Sequence, residues 1–273
     1  LIYLILIASI LMPNNLSEDD LNLGRNNDPK VISDIKPFKL WRKKATWSIL
    51  STPGMRFMTR LLFPKSSIAY LDVKNTVAFT VDDGFCGSDN PDGDMTNEVR
   101  ELFKKYDAKA TFFTTGSHCS HTSSDDIKAL LNDGHEIANH GMYDMPYNKF
   151  SKEDFESDFN QTHNILSQYT DNIPMWYRAP HAKLSKTMQE VIDEKGYKHI
   201  ICDAFASDTS IPDAKWISKF ILKKVKPGSV VLIHMPERGI REWNYEAMEL
   251  TLKGLKDKGY DIVTFSKLYE LSQ

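Results

Sequence analysis

Val77-Ala78-Phe79-Thr80-Val81-Asp82-Asp83-Gly84 is a short apolar run that ends on two adjacent carboxylates and a glycine. A run of this length, bounded by a turn residue and apolar on both faces, reads as a buried strand of a parallel sheet. Adjacent carboxylates repel, so folding alone gains nothing by placing them where such a strand stops. Holding a metal ion or abstracting a proton would give each a separate task. Asp-Asp-Gly is also a good turn sequence, so the pair becomes informative only through its partners.

The same pattern repeats from this stretch onward. Strands are predicted at 77–81, 109–114, 135–139, 175–179, 198–202, 229–233 and 260–264. Helices are predicted near 95–106, 124–132, 152–168, 185–195, 213–224, 244–257 and 266–272. Repeated β then α units, with strands apolar on both faces, mean a parallel sheet covered by helices, and about seven units favour an irregular barrel over an open sheet. Gly-x-Gly-x-x-Gly is absent, which removes the main sign of a dinucleotide-binding sheet. A chain of 273 residues with 41% hydrophobic content can bury one large core of this kind.

Reacting groups in parallel barrels stand at the carboxyl ends of strands. The first strand ends in Asp82 and Asp83, the third leads to His140 and Asp144, and the fourth ends in Tyr177-Arg178-Ala179-Pro180-His181. The fifth runs on to Asp208, and the sixth ends at His234. The spacing of His140 and Asp144 predicts one side of a helical turn, where the two could share a ligand. Arg178 is suited to fix a carboxylate, and His234 to exchange a proton near neutral pH.

The net charge of −3 and a pI near 6.3 give no electrostatic drive toward nucleic acid. Residues 1–12 are largely apolar, too few for a bilayer span of about 20 residues, and are read as a signal peptide or part of a membrane anchor. That segment implies a secreted or cell-surface protein and offers a membrane contact. Residues 13–69 are read as a linker and an N-terminal extension, basic and aromatic from 36 to 65, and residues 70–273 as the main domain. Cys86, Cys119 and Cys202 lack Cys-x-x-Cys spacing, which argues against a structural zinc knot.

These residues resemble the polysaccharide deacetylase family, the NodB-homology or carbohydrate esterase family 4 domain. Thr80 to Gly84 looks like its first motif, Gly134-His135-Glu136-Ile137-Ala138-Asn139-His140 like its second, Tyr177-Arg178-Ala179-Pro180 like its third and Leu232-Ile233-His234 like its fifth. Asp208 matches the fourth weakly. The resemblance spans about residues 70 to 273 and implies a distorted (β/α)7-8 barrel. It also implies a metal-dependent hydrolase that removes N-acetyl groups from an N-acetylglucosamine-containing glycan, chitin-like or peptidoglycan, and releases acetate.

Carried onto this chain, Asp82 is the general base and Arg178 orients it. His234 is the general acid, held by Asp208, and Asp83 and His140 are metal ligands. The oxyanion contact falls near His181, with Tyr177 and Leu232 on the substrate side. One divalent ion is implied, zinc first, with manganese, cobalt or iron as alternatives.

The chain departs from the family's pattern at two places. The second motif usually supplies a second histidine where Asp144 stands, which would make the ligand set Asp83, His140 and Asp144. His181 replaces a tyrosine after the third motif. The departures keep open a degenerate, glycan-binding barrel and a related amidohydrolase acting on a small cyclic amide. Substrate choice is expected from the loops 85–94, 116–124 and 235–243.

Overall fold

The computed structural model describes residues 37–50, 54–87, 90 and 93–273. The segment read as a signal or anchor and most of the linker lie outside the described residues.

β1 (Thr76–Gly84) is buried along its whole length, as its apolar run requires. It pairs in parallel with β7 (Val230–His234) on one side. On the other, β8 (Asp261–Val263) takes its lower end and β2 (Ala110–Thr114) its upper part. β3 (Glu136–Asn139), β4 (Trp176–Tyr177) and β5 (Lys198–His199) follow beyond β2, and β6 (Ala204–Phe205) lies beyond β7. The result is one curled, eight-stranded sheet in the order β5-β4-β3-β2-β1-β7-β6, with β8 against β1.

The curl is the irregular (β/α) barrel that the sequence predicts, with β5 and β6 as its free ends. Residues 68–71 run from the β5 end to the start of β7: Ile68 N–H donates to the His199 carbonyl, Ile201 N–H to the Ile68 carbonyl and Leu71 N–H to the Gly228 carbonyl, each at 2.9 Å. β4 and β5 are shorter than predicted. β6, with two residues, is too short for any periodicity to mark.

The strand period of two sorts side chains between the faces. Val77, Phe79 and Val81 join Phe112, Ile137, Val231 and Ile233 in the larger core, under helices Thr96–Lys105, Ser124–Asn132, Ala214–Lys224 and Trp243–Asp257. Ala78 instead joins Phe113, Ala138, Trp176, Ile200 and Val230 on the inner face, closed by Phe265 and Leu268 of helix Phe265–Leu271. Continuing that inner row upward from Ala78 brings Thr80 and then Asp82. An apolar plug therefore sits below a polar mouth.

Helix starts follow from side-chain caps. Ser151, Ser185, Asp213 and Thr264 each accept a backbone N–H three residues on, at 3.1, 3.2, 2.9 and 3.2 Å. Gly116–His121, expected as a loop, is a short helix capped by Thr115; six residues without apolar spacing give no periodic signal. In the N-terminal extension, helices Pro37–Leu50 and Met55–Leu62 lie against the barrel. Trp47 meets Phe205 edge-on at 5.2 Å, and Arg56 Nε donates to the buried Asp203 at 2.7 Å. No helix among the described residues is long and apolar enough to cross a membrane.

Gly228 shows how tightly the bridging segment is fitted. It has φ +75°, and a Cβ there would lie 1.7 Å from the Leu71 carbonyl oxygen. Backbone cannot yield as a flexible side chain would, so Gly228→Ala should lower unfolding stability by about 2–3 kcal/mol. A shift in urea midpoint of less than half that size would show that the segment is loosely held.

Candidate active site

Asp82 continues the inner row of β1, level with His234 on β7 and Phe113 on β2. Its neighbour should point to the outer, helix-covered face. A bulge between Asp82 and Gly84 and a left-handed backbone at Asp83, φ +56°, turn that carboxylate back into the mouth. Both acids are 4% exposed. They have different partners, so they are not equivalent.

Arg178, just past β4, takes Asp82. Its Nη1 donates to Asp82 Oδ1 at 2.5 Å and to the Thr80 hydroxyl at 2.9 Å. Its Nε and Nη2 donate to the carbonyls of Ile200 and Ile201 at 3.2 and 3.5 Å. The guanidinium lies over the Phe113 ring, 4.0 Å from its centre. With its donors committed, Arg178 holds the Asp82 carboxylate in one orientation.

Asp208 takes His234. Its carboxylate accepts the His234 backbone N–H at 2.7 Å and lies 3.1 Å from Nδ1 through either oxygen. Asn244 donates to Asp208 Oδ2 at 3.1 Å and to the His234 carbonyl at 3.0 Å, and the Trp243 indole N–H donates to the Asp208 carbonyl at 2.8 Å. The imidazole therefore turns Nε2 away from Asp208. Burial disfavours its charged form, but Asp208, with Asp83 and Asp82, outweighs burial and raises the His234 pKa to about 9.

His140 lies between the two aspartates. Its Nδ1 is 2.8 Å from the Arg178 carbonyl, and its Nε2 faces Asp83 Oδ1 at 3.5 Å and Asp82 Oδ2 at 3.9 Å. Burial opposes its protonation, yet the carboxylates of Asp82, Asp83 and Asp144 raise its pKa. Asn139 sets up this geometry by accepting the Gly141 N–H at 2.8 Å and donating to the Phe159 carbonyl at 3.2 Å.

The helical turn expected over His140 to Asp144 does not form. Gly141 has φ +82°, and 142–145 is a run of bends. Asp144 pairs instead with His181, Oδ1 to Nε2 at 3.2 Å. The two positions that depart from the family's motifs therefore meet each other. Burial and the nearby Asp83 push the Asp144 pKa up, but His181 and His140 outweigh them and lower it.

Arg241, which the sequence reading did not single out, completes the corner. It lies between β7 and helix Trp243–Asp257, and its Nη1 donates to Asp83 Oδ2 at 2.8 Å. It is 7% exposed, and its buried Nε has no hydrogen-bond partner among the described residues. Burial pushes the Asp83 pKa up, but the hydrogen bond from His140 and the charge of Arg241 hold it well below the usual carboxylate range. Nothing in a loop arginine seven residues past His234 signals this contact. It arises only when the β7–helix connection folds back over β1.

The remaining expected residues divide. Leu232 is nearly buried on β7, in register with Thr80. Tyr177 is fully buried among Phe155, Phe159 and His199 rather than open to a ligand. Strand parity explains this: Arg178 faces the mouth, so the residue before it faces the packed side. His135 accepts the Ala110 N–H at 3.0 Å between Phe103 and Phe112, and burial lowers its pKa to about 4. The His-Glu of the second motif is therefore structural.

The residues present do not fit the expected divalent ion. One Asp83 oxygen is taken by a guanidinium and Asp144 is turned to His181. Among the described residues no group of three His, Cys, Asp or Glu side chains is placed to hold a metal.

Residues 72–200 match the polysaccharide deacetylase family model. Over 194 residues the chain is 29% identical to a peptidoglycan-N-acetylglucosamine deacetylase of Bacillus cereus, covering 70% of this chain and 87% of that protein. A solved peptidoglycan N-acetylglucosamine deacetylase superposes with a TM-score of 0.68 at 24% identity, covering 76% of this chain and 97% of the other. A CE4 family pseudoenzyme from Bacillus anthracis superposes with a TM-score of 0.65 at 20% identity, covering 76% and 69%. These two structures share the fold. The strand-end residues from Asp82 to His181 fall in order within the matched span, so over residues 72–200 the chain is similar to the polysaccharide deacetylase family.

Proposed function

We propose that the chain hydrolyses the N-acetyl groups of an N-acetylglucosamine-containing glycan of the peptidoglycan type and releases acetate. The observation that carries this reading is the pairing of two dyads across adjacent strands: Asp82 held by Arg178, and His234 held by Asp208, with Asp82 and His234 in register. A glycan-binding module needs neither dyad. Two of the named relatives are peptidoglycan N-acetylglucosamine deacetylases, which motivates the substrate class. A cell-wall polymer also suits the secreted or surface location read from residues 1–12.

Asp82 accepts a proton from a water attacking the acetamide carbonyl, and charge develops on the carbonyl oxygen. The buried cations of the mouth and the peptide N–H of His181 favour that charge. Protonated His234 then donates to the departing nitrogen as the carbon–nitrogen bond breaks, leaving a free amine and acetate.

Acetate release from N-acetylglucosamine oligomers and peptidoglycan fragments tests the reading directly. Because His234 must be protonated, kcat/KM should fall as pH rises through about 9. Asp208→Asn should move that limb toward the ordinary imidazole value, by more than about one pH unit. A limb that Asp208→Asn leaves in place would remove His234 as the acid. The same raised pKa stabilises the fold, fully below about 6.5 and no longer once pH passes about 9.

The contact of Arg241 with Asp83 favours a second reading, a barrel that binds glycan without turnover. Saturable binding of the oligomers with no acetate released would support it.

A further inference from the structure

The family is generally metal-dependent, and this chain's departures from its motifs gather in the corner where a metal would sit. Asp144 replaces a histidine, His181 replaces a tyrosine, and the two are paired at 3.2 Å. Beside them, Arg241 reaches Asp83 at 2.8 Å. We propose that Arg241 is the resident cation of this corner, standing on Asp83 in place of a divalent metal ion, so that the chain takes up no such ion there.

Three observations support the assignment. First, the arginine is built in. Asn244 N–H donates to its carbonyl at 2.8 Å, and the preceding turn is closed by paired Glu237–Ile240 backbone bonds of 2.9 Å each. The Glu237 carboxylate that anchors this turn is itself buried, accepting from Gly87 N–H at 3.1 Å and Asn90 Nδ2 at 2.9 Å.

Second, Asp83 is the carboxylate that the guanidinium hydrogen-bonds, at 2.8 Å. An incoming ion would have to displace a buried arginine and leave it unpaired, or sit beside a permanent like charge. Third, the other donors are committed elsewhere. Asp144 points to His181, and His140 Nδ1 is 2.8 Å from the Arg178 carbonyl while Nε2 faces the two aspartates. A guanidinium offers the corner a fixed positive charge and directed N–H donors, but no coordination position.

The consequence for catalysis rests on the deacetylase reading, whereas metal uptake does not. The two can therefore fail separately. Calorimetric titration of Zn²⁺ into the chelator-treated full chain at neutral pH, and the visible absorption of added Co²⁺, should show no saturable site in the wild type. Arg241→Met combined with Asp144→His should gain a site at least about 100-fold tighter, the scale on which metal affinity responds to the residues around its ligands.

One equivalent of Zn²⁺ bound by the wild type with micromolar or better affinity, and lost in Asp83→Asn, would overturn the proposal whatever the double variant does. Uptake that persists in Asp83→Asn lies elsewhere and leaves the corner as proposed. Acetate release that survives chelation agrees with both readings. Release that requires added metal bound through Asp83 keeps the deacetylase and sinks Arg241 as its cation.

Discussion

Asp82→Asn should lower acetate release by about a thousandfold, within the range lost when a positioned general base is removed. Asparagine keeps the volume and can still accept from Arg178 Nη1, now 2.5 Å from Asp82 Oδ1, so the mouth keeps its shape. It cannot take a proton from water. The substitution also leaves a buried guanidinium without an anionic partner, so some stability is lost. Activity must therefore be compared at a temperature where circular dichroism shows both proteins folded. A variant that keeps more than a tenth of wild-type kcat/KM would mean that Asp82 is not the base, and the dyads would lose their catalytic reading.

Arg178→Met should cost about 3–5 kcal/mol of unfolding stability, the scale for removing one partner of a buried ion pair. Asp82 would remain 4% exposed with its charge uncompensated, and the carbonyls of Ile200 and Ile201 would lose the donors that now reach them. Those two carbonyls lie at the free end of the curled sheet, beside β5. The guanidinium therefore joins the β5 end to β1 across the inner face. Arg178→Lys should recover part of the loss, since an ammonium keeps the charge but lacks the planar fork that reaches Thr80, Asp82 and both carbonyls together. A urea midpoint for Arg178→Met that implies less than about 1 kcal/mol would place Arg178 among the weak, solvent-screened pairs instead.

Both predictions concern groups that could be found in the sequence, because strand ends in a parallel barrel converge on one mouth. The inner row Ala78, Thr80, Asp82 follows from a period of two, whereas the register of Asp82 with His234 is set by the pairing of β1 with β7. Tyr177 shows the same rule used too loosely: it stands beside a mouth residue in sequence, and parity sends it into the core. Asp83 shows the rule overridden. A bulge and a left-handed backbone add one residue to β1 and bring the second carboxylate round to the same side as the first.

The sequence by itself determined the parallel βα pattern and the strand ends, because alternation and apolar run length act over a few neighbouring residues; the pairing of Asp82 with Arg178 and of His234 with Asp208 was implied only by the resemblance to a family. Only the tertiary structure decided what surrounds Asp83. Arg241 arrives on a loop 158 residues away in sequence, and Asp144 turns to His181 because Gly141 breaks the expected turn. Such contacts depend on how loops fold over a finished sheet, and no local period records them. The contact of Arg241 with Asp83 was therefore legible only in three dimensions.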